Sequence, residues 1–171
     1  MYPKTFMNPL RRTVLFVLVT LVGIAVPGHA SAQGATAPGG YHKVLFLGNS
    51  ITKHGPKADI DWSGNWGMAA SAESNDYVHL VTKALGEKPG TKPEVMVKNI
   101  ADFERGYAGY DVAGKMKVAF DFGADLVIIA IGENVPALKS ADDKAQFKNS
   151  VDQLLKGLKA ANSSKQPTIV V

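Results

Sequence analysis

The chain has 171 residues, of which 46% are hydrophobic and 20% are charged, and its formal net charge is +4. It contains no cysteine, which excludes disulfides, thiolate metal sites and a lipoprotein anchor on a cysteine. Residues 1–32 hold three positive charges and no negative ones, so the remainder carries a net charge of +1. No basic stripe remains that would mark a nucleic-acid surface, and we predict no nucleic-acid partner.

Residues 1–32 have the composition of a secretory signal peptide. Three basic residues precede a nearly unbroken apolar stretch at 13–26, and small residues at Ala30–Ala32 are suitable for cleavage before Gln33. The apolar stretch is shorter than the ~20 residues that cross a bilayer, so we favour cleavage over a membrane anchor. This predicts a secreted or periplasmic protein without stable membrane insertion.

Residues 33–40 are rich in glycine, alanine and proline, which predicts a flexible linker. The rest of the chain, 41–171, is long enough for one domain with a hydrophobic core. It shows no internal repeat and no low-complexity tract.

Four short apolar segments of this domain are predicted strands. They cover 44–47, 93–98, 125–131 and 167–171. The third is a continuous apolar run, which is typical of a strand buried on both faces of a parallel sheet. We expect it to be the most buried strand.

Helical periodicity fills the intervals between these strands. Apolar residues spaced three and four apart predict a helix that is capped by Ser74 and ends at Gly86. A weaker helix is predicted over 107–122, and Ser140 with Asp143 forms a capping box for another. The alternation predicts an α/β fold, a doubly wound parallel sheet with helices on both faces.

The first strand runs directly into Gly48-Asn49-Ser50-Ile51. A serine at the carboxyl end of a parallel strand lies where open α/β sheets bind ligands, so Ser50 is a candidate nucleophile. The alternative is a serine that only terminates a turn. A nucleophilic serine needs a base to take its proton.

Gly48-Asn49-Ser50-Ile51, with Gly132-Glu133-Asn134 after a later strand, resembles the SGNH (GDSL-like) hydrolases. The resemblance spans 43–171 and implies a flavodoxin-like sheet and a cofactor-free serine esterase. Three residues depart from the family's pattern, where aspartate, leucine and aspartate are usual: Asn49, Ile51 and Val135.

The resemblance also implies the residues that hold the oxyanion. These are the main-chain N–H of Ser50, the side chain of Asn134, and a main-chain N–H after the second strand. The last falls at Glu104, where the family has a glycine. Fixed donors at such positions stabilise the negative charge of a tetrahedral intermediate.

The general base is the missing part. The resemblance implies an Asp-x-x-His block after a fifth strand, whereas the domain holds only His42, His54 and His79, each of which we expect to be superficial or structural. The last predicted strand would also leave an exposed apolar edge. We therefore expect an incomplete domain at 41–171 that lacks a last strand and helix.

Both tryptophans, Trp62 and Trp66, lie in a loop at 59–68 that follows Ser50. Because glycines and small polar residues surround them, their rings are suited to stacking on a sugar. The alternative is that the tryptophans anchor the loop by packing against the domain. The same loop faintly resembles a calcium loop, but its twelfth position is Ala70 rather than glutamate, so we predict no metal.

The sequence thus predicts an exported serine ester hydrolase that acts by acyl transfer through Ser50. The expected substrate is a small-molecule or carbohydrate ester, and we favour an O-acetylated carbohydrate. The alternative is a catalytically inactive carbohydrate-binding module that retains the hydrolase fold.

Overall fold

A computed structural model describes residues 40–87, 90, 92–162 and 164–171. The predicted signal peptide at 1–32 and residues 33–39 of the predicted linker lie outside these residues. Within the described part, no helix is long and apolar enough to cross a membrane.

The fold is built on a four-stranded sheet of order β2-β1-β3-β4 in which all neighbours are parallel. The strands are β1 (Lys43–Gly48), β2 (Glu94–Asn99), β3 (Leu126–Ala130) and β4 (Thr168–Val170). Each lies within one residue, at both ends, of its predicted position. The α/β parallel sheet is therefore confirmed.

The most buried strand is β1, not β3 as predicted. Residues 44–48 of β1 are all buried, whereas two of the five residues of β3, Ile128 and Ala130, are only half-buried. The reason is position, because β1 lies between the longer strands β2 and β3, whereas one neighbour of β3 is the three-residue β4. A continuous apolar run in the sequence does not distinguish these two environments.

Helices cover both faces of the sheet. The helices are α1 (Tyr77–Leu85), α2 (Ala101–Gly106), α3 (Val112–Asp121) and α4 (Ala141–Ala160). On one face, Val44 and Phe46 of β1 pack with α1, and on the other Leu45 and Leu47 pack with α2, α3 and α4. Successive side chains of a strand point to opposite faces, so β1 contributes to two separate cores.

Two helix predictions need correction. Ser74 does not cap α1, because it lies in a 3₁₀ turn, Glu73–Asn75, and the Asp76 side chain accepts the His79 N–H at 2.7 Å instead. The weak helix at 107–122 is a 3₁₀ turn followed by α3, which begins at Val112 after an Asp111 cap. The preceding helix α2 was not predicted. The capping box at the start of α4 is confirmed.

The order of the strands creates a switch point between β1 and β3. From β1 the chain passes through α1 to β2 on one side, and then crosses back through α2 and α3 to β3 on the other side. In open α/β sheets the crevice at such a point, outside the carboxyl ends of the strands, is where ligands bind. This places the segments after Gly48 and after Ala130 at the expected position of a site.

Gly48 has no room for a side chain, so Gly48→Ala should destabilise the protein. An added Cβ would lie 2.7 Å from the Ala130 carbonyl oxygen and would overlap the Thr52 hydroxyl. We expect a loss of about 1–3 kcal/mol in the free energy of unfolding, measured with urea. Gly109→Ala is the control, because nothing lies within 4 Å of its added Cβ. Equal losses in both variants would contradict the packing argument.

Candidate active site

Residues that follow β1 and β3 meet at the switch point around one side chain of α2. Asn49 and Ser50 follow β1, and Gly132, Glu133 and Asn134 follow β3. The side chain of α2 that joins them is Glu104.

The Glu104 carboxylate is completely buried and accepts hydrogen bonds from both loops. Its Oε1 accepts the main-chain N–H of Gly132, and its Oε2 accepts from Nδ2 of Asn134 at 2.9 Å. Nδ2 of Asn49 donates to Oε1 at 3.4 Å. One carboxylate thus ties the turn after β1 to the turn after β3.

Asn49 is the second hub of this network and is 1% exposed. Its Nδ2 donates to the Glu133 carboxylate, and its Oδ1 accepts the Ile51 N–H at 3.0 Å. Its carbonyl oxygen accepts the N–H groups of Thr52 and Lys53, both at 3.0 Å. These bonds close a tight turn in which Ser50 is the first residue after Asn49.

Ser50 is half-buried in this turn, and its carbonyl oxygen accepts the Met68 N–H at 2.9 Å. Among the described residues, no side chain or main-chain group forms a hydrogen bond with the Ser50 hydroxyl. The hydroxyl is thus not committed to the turn, although the turn itself is held by main-chain bonds.

The Asn134 side chain belongs to the same network, whereas the main-chain N–H of Glu104 does not. An amide nitrogen has two N–H groups, and Glu104 accepts one from Asn134, which leaves the other for a ligand. The main-chain N–H of Glu104 donates to the Ile100 carbonyl at 3.3 Å within the first turn of α2. This geometry does not support Glu104 as a main-chain oxyanion donor, and its contribution here is its side chain.

The three histidines are engaged elsewhere. His42 lies beyond the opposite end of β1, where its main-chain N–H donates to Asp125 at 2.9 Å. The Nδ1 of His54 donates to the Gly55 carbonyl at 2.6 Å. His79 Nδ1 lies 2.7 Å from the Asp76 carboxylate. Within the described part of the chain, none of them forms a hydrogen bond with Ser50.

The tryptophan loop is packed on itself. The rings of Trp62 and Trp66 meet edge to face with centroids 5.3 Å apart. The Trp62 indole N–H donates to the His54 carbonyl at 3.1 Å, and that of Trp66 donates to Ala70 at 3.2 Å. These contacts match the packed-loop alternative, and sugar stacking stays a prediction.

Trp66 also borders a cavity of about 240 Å³ on the α1 side of β2. Its walls include Val95 and Val97 of β2, and its rim includes Glu73 and His79. Neither Ser50 nor Asn134 lines this cavity, so it is separate from the switch-point network.

Asp76 anchors the tryptophan loop to α1 and is 3% exposed. It accepts the main-chain N–H of Gly67 at 3.1 Å, besides its bonds with His79. Burial acts to raise the pKa of Asp76, but the hydrogen bonds from His79 and Gly67 outweigh it and bring the pKa below its usual 3.8. The pair has Asp-x-x-His spacing, which the sequence analysis sought only after a further strand, and here it caps a helix.

Within the described residues, no three histidine, aspartate or glutamate side chains lie close enough together to hold a metal ion.

Three participants were not predicted from the sequence: the side chains of Asn49, Glu104 and Glu133. The available signal was Glu104 itself, a carboxylate in the position where the resemblance implies a glycine. Its neighbours, Phe103 and Arg105, do not show that its side chain is buried.

Comparisons with known proteins do not assign a family. Neither protein-family models, nor curated proteins, nor solved structures matched the chain. The SGNH resemblance therefore depends on the residues named above and remains a prediction.

Glu104→Gln should destabilise the protein although it barely changes the volume of the side chain. One acceptor oxygen becomes an NH₂ group that faces the N–H donors of Gly132 or Asn134, so a buried donor loses its partner. We expect a loss of about 1–3 kcal/mol in the free energy of unfolding. The control is Glu94→Gln, which breaks a 3.6 Å ion pair of exposed Lys43 and Glu94 and should cost about 0–1 kcal/mol. A Glu104→Gln loss no larger than that of the control would contradict the network.

The Asp76 carboxylate should stabilise the fold at neutral pH and lose this effect in acid. Because its folded-state pKa is lowered, its contribution is present above the unfolded pKa of ~3.9 and is lost as the pH falls through the folded value. We expect Asp76→Asn to cost about 1–3 kcal/mol at pH 7 and less at pH 3. Urea unfolding at both pH values measures this.

Asp59→Asn is the matched control for Asp76→Asn, because the Asp59 side chain is 69% exposed in an ion pair with Lys57. It should change stability little at either pH. An Asp76→Asn cost that is equal at pH 7 and pH 3 would contradict the role assigned to the charge.

Proposed function

We propose that the protein is an exported serine ester hydrolase of the SGNH type that transfers an acyl group through Ser50. One observation carries the proposal. Ser50 and Asn134 follow the two strands on either side of the switch point, and a single buried carboxylate joins their loops. This is where an open α/β sheet offers a ligand-binding crevice.

In the proposed reaction, the Ser50 hydroxyl loses its proton to a base and its oxygen attacks the ester carbonyl carbon. The carbonyl oxygen becomes an oxyanion, which the second N–H of the Asn134 amide and the Ser50 N–H stabilise. One fixed donor of this kind contributes about 3 kcal/mol to the transition state. The leaving alcohol takes the proton, and water then hydrolyses the acyl-enzyme.

Glu104 does not act as a donor in this scheme. Its carboxylate and the oxyanion would both be negative, so its proximity opposes the oxyanion electrostatically. Its benefit is geometric, because it holds the Asn134 amide plane and the Gly132 N–H in one position before the substrate binds. Because these groups are oriented before the reaction begins, they do not have to reorganise as the transition state forms.

The proposal requires a base, but the imidazoles of His54 and His79 have other partners, and His42 lies beyond the opposite end of β1. As the SGNH resemblance implies, we propose an Asp-x-x-His histidine that follows a further strand and is not among residues 40–171.

An inactive carbohydrate-binding module is the second candidate function. It is favoured by the absence, among the described residues, of a base bonded to Ser50. A small acyl group on a carbohydrate remains the proposed substrate.

The first test, on protein that includes the proposed Asp-x-x-His block, is burst release of p-nitrophenol from p-nitrophenyl acetate, together with fluorophosphonate labelling located by mass spectrometry. We expect Ser50 to carry the label and Ser50→Ala to abolish the burst. Asn134→Ala should lower kcat about 10²- to 10³-fold. Ser164→Ala is the control, because Ser164 is exposed and lies in the loop that leads into the opposite end of the sheet. A folded protein without Ser50-dependent release would favour the binding module.

A further inference from the structure

Two carboxylates share one amide group beside Ser50. Nδ2 of Asn49 donates to Glu133 Oε2 and, at 3.4 Å, to Glu104 Oε1. Glu104 is buried, whereas Glu133 is exposed at the mouth of the site. Burial is the main cause of the raised pKa of Tyr77, and the negative charges of Asp76 and then of Glu133 add to it.

Neither carboxylate forms an ion pair with a described cation. Within the described residues, seven ion pairs link basic and acidic side chains, and none of them includes Glu104 or Glu133. Among the described residues, Glu104 accepts hydrogen bonds from N–H groups of both loops, whereas Glu133 accepts one only from the Asn49 amide. The exposed end of the network therefore carries an uncompensated negative charge.

Glu133 is connected to both residues of the proposed site. Glu133 precedes Asn134 in the chain, and its carboxylate is bonded to Asn49, which precedes Ser50. A substrate that contacts both Ser50 and Asn134 would therefore lie near the Glu133 carboxylate. At ~4 Å in water, one pair of unit charges changes an equilibrium about fivefold.

We propose that Glu133 determines substrate charge: the site takes esters with an ammonium group, such as esters of amino alcohols or amino sugars, and disfavours anionic esters. This inference rests on the proposed esterase function and narrows its substrate class. The negative charge of Glu133 attracts the ammonium group of a cationic ester and repels the carboxylate or phosphate group of an anionic one. Both effects increase the preference for cationic esters over anionic ones.

The test compares three thioesters that differ in charge, with released thiol detected by a disulfide reagent. They are acetylthiocholine, its uncharged isostere 3,3-dimethylbutyl thioacetate, and the anion 3-(acetylthio)propanoate. We expect kcat/KM for the cation to exceed that for the isostere about fivefold, and the anion to be the poorest. Glu133→Gln should bring the cation-to-isostere ratio close to one, and 0.5 M NaCl should reduce it in the wild type.

Glu94→Gln is the matched control, because it removes a carboxylate from the opposite end of the sheet and should leave the ratio unchanged. Equal ratios in the wild type and in Glu133→Gln, with hydrolysis that depends on Ser50, would overturn the inference and leave the esterase proposal intact. Hydrolysis that persists in Ser50→Ala would overturn the esterase proposal instead.

A binding measurement decides the inference even if no substrate turns over. Choline and 3,3-dimethylbutanol have the same shape and differ in charge, and their affinities can be compared by ligand-observed NMR titration. We expect wild-type protein to bind choline about fivefold more tightly than the alcohol, and Glu133→Gln to bind the two equally. Equal binding by the wild type would overturn the charge preference.

Discussion

The arrangement of the strand ends depends on the burial of one carboxylate. Glu104 is completely buried, and within the described residues no cation pairs with it, so N–H groups of two loops have to replace the water that it loses. A displaced loop would leave a buried charge poorly solvated, which costs several kcal/mol. The turn after β1 and the turn after β3 are therefore held together by the need to solvate one charge, and Ser50 and Asn134 lie on those turns.

Two further features hold these turns in place: a hydrogen bond with α1 on the other face of the sheet, and the backbone conformation of Gly132. The Thr52 and Tyr77 hydroxyls lie 2.8 Å apart and join the turn after β1 to α1. Burial is the main cause of the raised pKa of Tyr77, which the bond with Thr52 partly opposes, so the phenol remains a neutral partner. Gly132 has φ +141°, where a side chain would be strained, and this lets its N–H reach Glu104. The site is thus braced by α1 on one face and by α2 on the other.

Local signals in the sequence predicted most of the regular structure. The four strands were placed within one residue because alternation of apolar runs and turn residues is a property of short segments. The capping box of α4 was found because Ser140 and Asp143 interact with each other's main chain. The start of α1 was misplaced because Asp76, unlike Ser74, also accepts the N–H of Gly67, a contact with a loop nine residues away. Helix α2 was missed because it has only six residues and too little periodicity to detect.

The sequence by itself determined that the domain is an α/β parallel sheet and that a serine and an asparagine follow two of its strands. Only the tertiary structure decided that these two strands are neighbours, that β1 is the most buried strand, and that Glu104 and Asn49 connect their ends. The physical reason is the range of the interactions. Strand and helix periodicity arises between residues a few positions apart, whereas the partners of the Glu104 carboxylate lie 28 to 55 positions away along the chain.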